Sequence, residues 1–172
     1  GPSPSSPRPG AASFVELLSR RAAASPELEL YKFLPDREDG EIQSIGAGAL
    51  ELRARSIAAE LVAQGAAGER VLLLHAPGLE YIAALFGVWY AGAIAVPAYP
   101  PQSSRHGARV NGIARDARAR FALTSRAALE RMRPMLAAEP ELARLRVSAS
   151  DDIDVASAAR WEPPAVDESS LA

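Results

Sequence analysis

A chain of 172 residues, 48% hydrophobic and 23% charged, is long enough for one domain that buries roughly 70% of its unfolded surface. Its formal net charge of −2 provides nothing to drive general phosphate-backbone binding, so nucleic acid is not an expected partner. With no cysteine and only His75 and His106 as histidines, disulfides, thiolate nucleophiles and sulfur-ligated metals are excluded, and a histidine metal cluster is not expected.

Residues 1–12 carry proline at positions 2, 4, 7 and 9, which removes backbone donors and rules out a helix or a central strand. They read as a linker, and Gly1-Pro2 resembles the scar of a tag-removing protease. No secretory pattern is present, which makes the cytoplasm the expected compartment. Ser13 stands where a helix N-cap belongs. Phe14, Leu17, Leu18 and Arg21 follow at helical spacing, and Ser25-Pro26 stops the helix. Leu28–Leu34 alternates as a strand, Asp36–Gly40 is a polar turn, and Glu41–Ile45 is the hairpin partner. The next helix gathers Leu50, Ala54, Ile57, Ala58 and Leu61 on one face and turns Glu51, Arg53, Arg55 and Glu60 away. Gly65 supplies its left-handed C-terminal position.

From Val71 strand and helix alternate. Val71–Leu74 is a continuous apolar strand of the kind buried on both faces in a parallel sheet. A helix over Leu79–Ala91, a strand over Ala93–Val96, and a helix carrying Val110, Ile113, Ala114 and Ala117 come next. A strand over Phe121–Thr124, a helix over Arg126–Ala138 and a strand around Leu145–Val147 follow. The alternation predicts an α/β fold: a mostly parallel sheet flanked by helices, with a small β-hairpin near the N-terminus. After Ser148 the chain reads as an acidic loop leading to Trp161-Glu162-Pro163-Pro164 and the polar Asp167–Ser170. Tyr81–Ser104 holds no charge and is long enough to test as a membrane span. Gly92, Pro97, Pro100 and Pro101 punctuate it into a buried helix and a short strand, so no span is expected.

The run from Glu69 to Pro101 includes Leu72-Leu73-Leu74-His75-Ala76-Pro77-Gly78 and Trp89-Tyr90-Ala91-Gly92-Ala93. It resembles the second core motif of the adenylate-forming ligases. Its ending, Val96-Pro97-Ala98-Tyr99-Pro100-Pro101, is similar to the form typical of fatty acyl-AMP ligases. The resemblance continues through Val110–Thr124 and Trp161-Pro163-Pro164 and covers residues 13–172. It marks Gly92, Pro97, Tyr99, Pro100 and Pro101 as family-motif residues with a structural role. The first core motif departs from the family's Leu-Thr-Tyr-x-Glu-Leu, reading Ile45-Gly46-Ala47-Gly48-Ala49-Leu50. Glycine in place of the capping threonine keeps most of the capping stability.

The resemblance implies the first part of the N-terminal domain of a bacterial ligase. The parent would use ATP and Mg to turn a fatty acid into its acyl-adenylate, then load an acyl carrier protein of a polyketide or nonribosomal peptide assembly line. The family's phosphate loop, magnesium-site glutamate, ribose-binding aspartate and C-terminal lysine have no counterpart in these 172 residues. No catalytic, cofactor-binding or metal residue is therefore expected in this segment, which should be inactive alone. The implied partners are the remainder of the ligase, the carrier protein, the fatty acid and, through exposed apolar surface, a second copy. The alternative is a truncated, non-catalytic docking module of a megasynthase. An independent Rossmann-type binder would need a glycine fingerprint that the chain lacks.

The remaining candidates carry weaker signals. Gly46-Ala47-Gly48 reads as a helix-start turn, since a dinucleotide loop needs a third glycine. His75 follows a buried strand at the ligand-binding edge of an α/β sheet, yet no acid or nucleophile neighbours it in sequence, so a packed, hydrogen-bonded role is favoured. His106 reads as a loop residue. Asp151, Asp152 and Asp154 lack the glycine and distal glutamate of a calcium loop. Arg105, Arg109, Arg115, Arg118, Arg120, Arg126, Arg131 and Arg133 make the middle of the chain basic, either as solvated helix faces or as a surface for an acidic carrier protein.

Overall fold

The computed structural model describes residues 10–34 and 39–164. Helix α1 (Ala11–Ala24) begins at a Gly10 cap with no side-chain hydrogen bond, three residues ahead of the expected Ser13 cap. Ala11 and Ala12 are strong helix formers and extend the first turn. Strands β1 (Glu29–Phe33) and β2 (Gln43–Gly46) form the expected antiparallel hairpin, with Tyr31 opposite Ile45. Residues 35–38 of its turn lie outside the described residues. Helix α2 (Ala47–Ala63) follows, and Gly65 stands beyond it at φ +86°.

The remaining elements are β3 (Arg70–Leu74), α3 (Leu79–Tyr90), β4 (Ile94–Ala98), α4 (Ser104–Ala117), β5 (Phe121–Thr124), α5 (Arg126–Ala138), α6 (Pro140–Arg144) and β6 (Arg146–Ala149). The four strands are parallel in the order β4-β3-β5-β6. Strand β3 is central, with Leu72 opposite Val96 on one side and Ala122 on the other. Its side chains divide between the two faces: Val71 and Leu73 join the core under α1, α2 and α3, while Leu72 and Leu74 join the core under α4, α5 and α6. This double burial is why the strand reads as unbroken leucine and valine. Each fully buried side chain contributes about 1.5–3 kcal/mol.

In the first layer α2 and α3 approach until only glycine fits between them. A Cβ on Gly87 would lie 2.5 Å from Cγ2 of Ile57. Phe14 of α1 stacks on Trp89 with ring centroids 5.1 Å apart. The acidic loop expected after Ser148 is instead two 3-10 turns, Ser150–Asp152 and Val155–Arg160. Asp154 starts the second by accepting from the Ala156 N–H at 2.9 Å. Trp161 then lies against α3, its Nε1 donating to the Tyr90 carbonyl at 2.9 Å, and the Arg55 guanidinium sits 4.8 Å above its ring.

The second layer is joined by polar caps. Helix α6, absent from the sequence reading, is five residues long with Pro140 in its first turn. Asn111 of α4, buried to 4% exposure, accepts from the Glu141 and Leu142 N–H groups at 2.8 and 3.3 Å. His106 sits inside the first turn of α4, where its N–H donates to Ser103 Oγ, so it is not a loop residue. Arg118 ends α4 at φ 54°, ψ 38°, a left-handed conformation that glycine would adopt at about 1–2 kcal/mol less cost. Among the described residues no helix is long and apolar enough to cross a membrane. The uncharged run from Tyr81 divides into α3 and β4 around Gly92, as expected.

Candidate functional site

Strand β3 leads to α3 on one face, and its neighbour β5 leads to α5 on the other. The chain thus leaves the sheet in opposite directions at their C-terminal ends, which is where open α/β sheets form a ligand crevice. A polar cluster occupies this point. His75, 5% exposed at the end of β3, meets Ser150 Oγ through its Nε2 at 2.9 Å. Ser150 is fully buried, and its hydroxyl also lies 3.2 Å from the Thr124 carbonyl and 3.3 Å from Glu80 Oε2. Arg53 Nη2 reaches both Glu80 carboxylate oxygens at 3.0 Å. Thr124 Oγ1 donates to the Leu74 carbonyl at 2.6 Å and ties β5 to β3 at the same level.

The proton positions follow from counting lone pairs. Ser150 has one proton and faces two oxygen acceptors, so donating it to His75 would leave both oxygens against serine lone pairs. The serine therefore donates to an oxygen and accepts from Nε2–H of His75, which leaves Nδ1 as a bare lone pair. That atom is buried without a partner. Burial disfavours the imidazolium and lowers the His75 pKa to about 4, against a smaller raising effect from Asp151. The imidazole is neutral at pH 7. Arg53, Glu80, Thr124 and Ser150 were missed in the sequence because they come from separate elements and share no motif. Their assembly holds the two halves of the crevice together and resembles a structural clasp, since Ser150 is fully buried and accepts from His75 rather than giving it a proton.

The motif residues map onto the neighbouring edge. Gly92 follows α3 at φ +69°, its carbonyl accepting from the Gly68 N–H at 2.9 Å. Glycine reaches this left-handed position without a Cβ clash. Pro97 stands opposite Leu73 in β4, an edge strand among the described residues, where a missing N–H is tolerated. Tyr99 is 73% exposed, Pro100 half-buried and Pro101 buried. Gly92 is thus remote from the His75 cluster by fold position, at the opposite end of α3.

The other candidates resolve into structure. The Ala47 and Gly48 N–H groups donate to the Leu28 and Pro26 carbonyls at 2.8 and 3.0 Å, so these two donors of the α2 N-terminus are already engaged within the fold. Asp151 accepts from the Arg126 N–H at the start of α5, and Asp152 pairs with the Arg126 guanidinium. Among the described residues no three acidic or histidine side chains gather as a metal site, and no glycine-rich phosphate cradle appears.

The AMP-binding enzyme family matches residues 18–171. The chain is 34% identical over 169 residues to a medium-chain fatty acid–acyl carrier protein ligase of Moorena producens, covering 96% of this chain and 28% of that protein. It is 30% identical over 167 residues to a long-chain fatty acid–AMP ligase of Mycolicibacterium smegmatis, covering 95% and 26%. The fatty acyl-adenylate ligase of L. pneumophila, solved with acyl adenylate and pyrophosphate, superposes with a TM-score of 0.78 at 31% identity, over 88% of this chain and 25% of that one. The chain therefore spans about a quarter of the length of these relatives. It belongs to the AMP-binding enzyme family, as an N-terminal segment of the adenylate-forming fatty acyl-AMP ligase kind.

Proposed function

We propose that this segment is scaffold for a fatty acyl-AMP ligase, which joins a fatty acid to AMP at the expense of ATP and passes the acyl group to a carrier protein. The similarity to fatty acid ligases across nearly the whole chain carries this reading, and the name of the Moorena relative supplies the carrier protein. The resemblance puts the family's phosphate loop and magnesium-site glutamate in other parts of the parent, and no chemical step is assigned to these side chains. What the segment contributes is a sheet and two helical layers against which the ATP-binding part packs. The exposed edge β4, with Ile94 at 49% and Tyr99 at 73% exposure, is the surface offered for that contact.

Fatty-acid-dependent ATP–pyrophosphate exchange tests the proposal. The full-length parent should catalyse it, and the 172-residue chain should show only the no-protein background. Exchange by the isolated chain, lost on denaturation, overturns the scaffold role. A full-length parent silent with fatty acids of every chain length would replace it with the non-catalytic docking module.

A further inference from the structure

The edge of the sheet opposite the His75 crevice carries a cleft that no part of the ligase reading uses. It is an open surface depression of about 650 Å³ with exposed arginine side chains around it. Five of its lining residues are arginines: Arg115 and Arg118 at the end of α4, Arg120 before β5, Arg144 ending α6 and Arg146 opening β6. Glu141 lies 3.8 Å from Arg144, while Arg115, Arg118, Arg120 and Arg146 have no carboxylate within salt-bridge distance among the described residues. In sequence these arginines are scattered over thirty-two positions. The Asn111 cap on α6 brings them to one concavity by holding the α6–β6 segment beside α4.

A second observation singles out the same place. Arg118 is the only non-glycine with positive φ among the described residues. The α4 C-terminus would close more easily with glycine, so the guanidinium is held there against the backbone preference. Some of this positive charge complements the negative end of the α4 dipole. That role needs one or two cations in the last turn, and Arg120, Arg144 and Arg146 lie outside it.

We propose that this cleft binds a small ligand bearing two or more adjacent phosphate groups. Guanidinium forks match phosphate oxygens in bidentate fashion, and several converging on one hollow favour dense negative charge over a single carboxylate. A concave site of this size fits a nucleotide tail or a bisphosphate headgroup better than the convex face of an acidic protein. The inference stands whether or not the parent is a ligase, because it rests on the far edge of the sheet.

Calorimetric titration of the full chain at fixed ionic strength tests it, with tripolyphosphate, pyrophosphate and sulfate as probes and an acidic polyglutamate as the protein-like competitor. Tripolyphosphate should bind saturably and more tightly than sulfate. Vesicles with and without a phosphoinositide bisphosphate, set against free ATP, then separate a headgroup from a nucleotide. Arg120→Ala and Arg146→Ala should each weaken tripolyphosphate binding by roughly tenfold. Arg118→Gly is the informative variant, since it should weaken binding while raising the melting temperature. Equal affinity for all anions, with no loss in the variants, would show an unselective basic surface and overturn the proposal. Binding of polyglutamate without tripolyphosphate would overturn it in favour of an acidic protein partner.

Discussion

The two helical layers on this sheet are closed by different means. In the first, α2 and α3 meet at a glycine and aromatic rings fill the remaining seams. In the second, α4, α5 and α6 are fixed by side-chain caps, and their outer faces are exposed arginine and glutamate, paired in part as Arg126–Glu130 and Arg133–Glu130. Both layers have apolar cores and hydrogen bonds, but the first adds a helix contact too close for a Cβ, while the second has room beside its helices and carries charge on its outer faces. Substitutions of the same type should therefore have opposite outcomes in the two.

The largest effect is expected at the joint between them. His75 is neutral in the fold, with its pKa lowered from 6.5 to about 4. Its stabilising contribution is fully present above pH 6.5 and declines as pH falls toward 4, because the unfolded chain takes up the proton first. The loss amounts to on the order of 3 kcal/mol by pH 4. His75→Gln should flatten that part of the acid limb in urea melts taken across this window. An unchanged difference between pH 7 and pH 4.5 in the variant would place the acid sensitivity elsewhere.

Glycine substitutions then probe the layers directly. Gly87→Ala forces a Cβ onto Ile57 and should destabilise by about 1–3 kcal/mol through overpacking. The same change at Gly112 in α4, where an added Cβ meets nothing within 4 Å, should stabilise by about 0.5–1 kcal/mol through helix propensity. If the two variants shift the urea midpoint in the same direction, the contrast between layers fails. Gly92→Val imposes a β-branched side chain at φ +69° and crowds Pro164, 3.1 Å from the ideal Cβ position. It should cost about 1–3 kcal/mol in the same melts, with the full-length ligase losing activity only in proportion to folded protein. A stable variant with a raised KM for fatty acid would instead put Gly92 at a substrate channel. Dynamic light scattering addresses the apolar surface near β4: the wild-type chain should associate, and Tyr99→Lys should reduce association.

Sequence alone located the strands and long helices because their signals are local: leucine runs in β3, helical spacing in α2, a glycine stop after α3. It missed α6, whose five residues fall short of a period and whose cap comes from Asn111, thirty positions upstream of Glu141. The 3-10 turns after Ser148 were read as loop, since three or six residues show acidity and no periodicity. The polar cluster was illegible for a related reason. His75 stood out only by its place after a strand, while Ser150 was one residue of an acidic stretch until β6 carried it beneath the imidazole. The arginine cleft was visible as composition and invisible as geometry.

The Trp161 contact has a consequence for how the molecule is made. It joins Tyr90 across 71 positions, whereas the α4, α5 and α6 units connect near neighbours. Closure over a longer loop costs more entropy and forms more slowly. On a ribosome the second layer can assemble as each unit emerges, but the first stays unsealed until the indole has left the exit tunnel. The chain's only other tryptophan, Trp89, lies on α3 itself, so replacing it with phenylalanine would leave an emission signal that times this last closure.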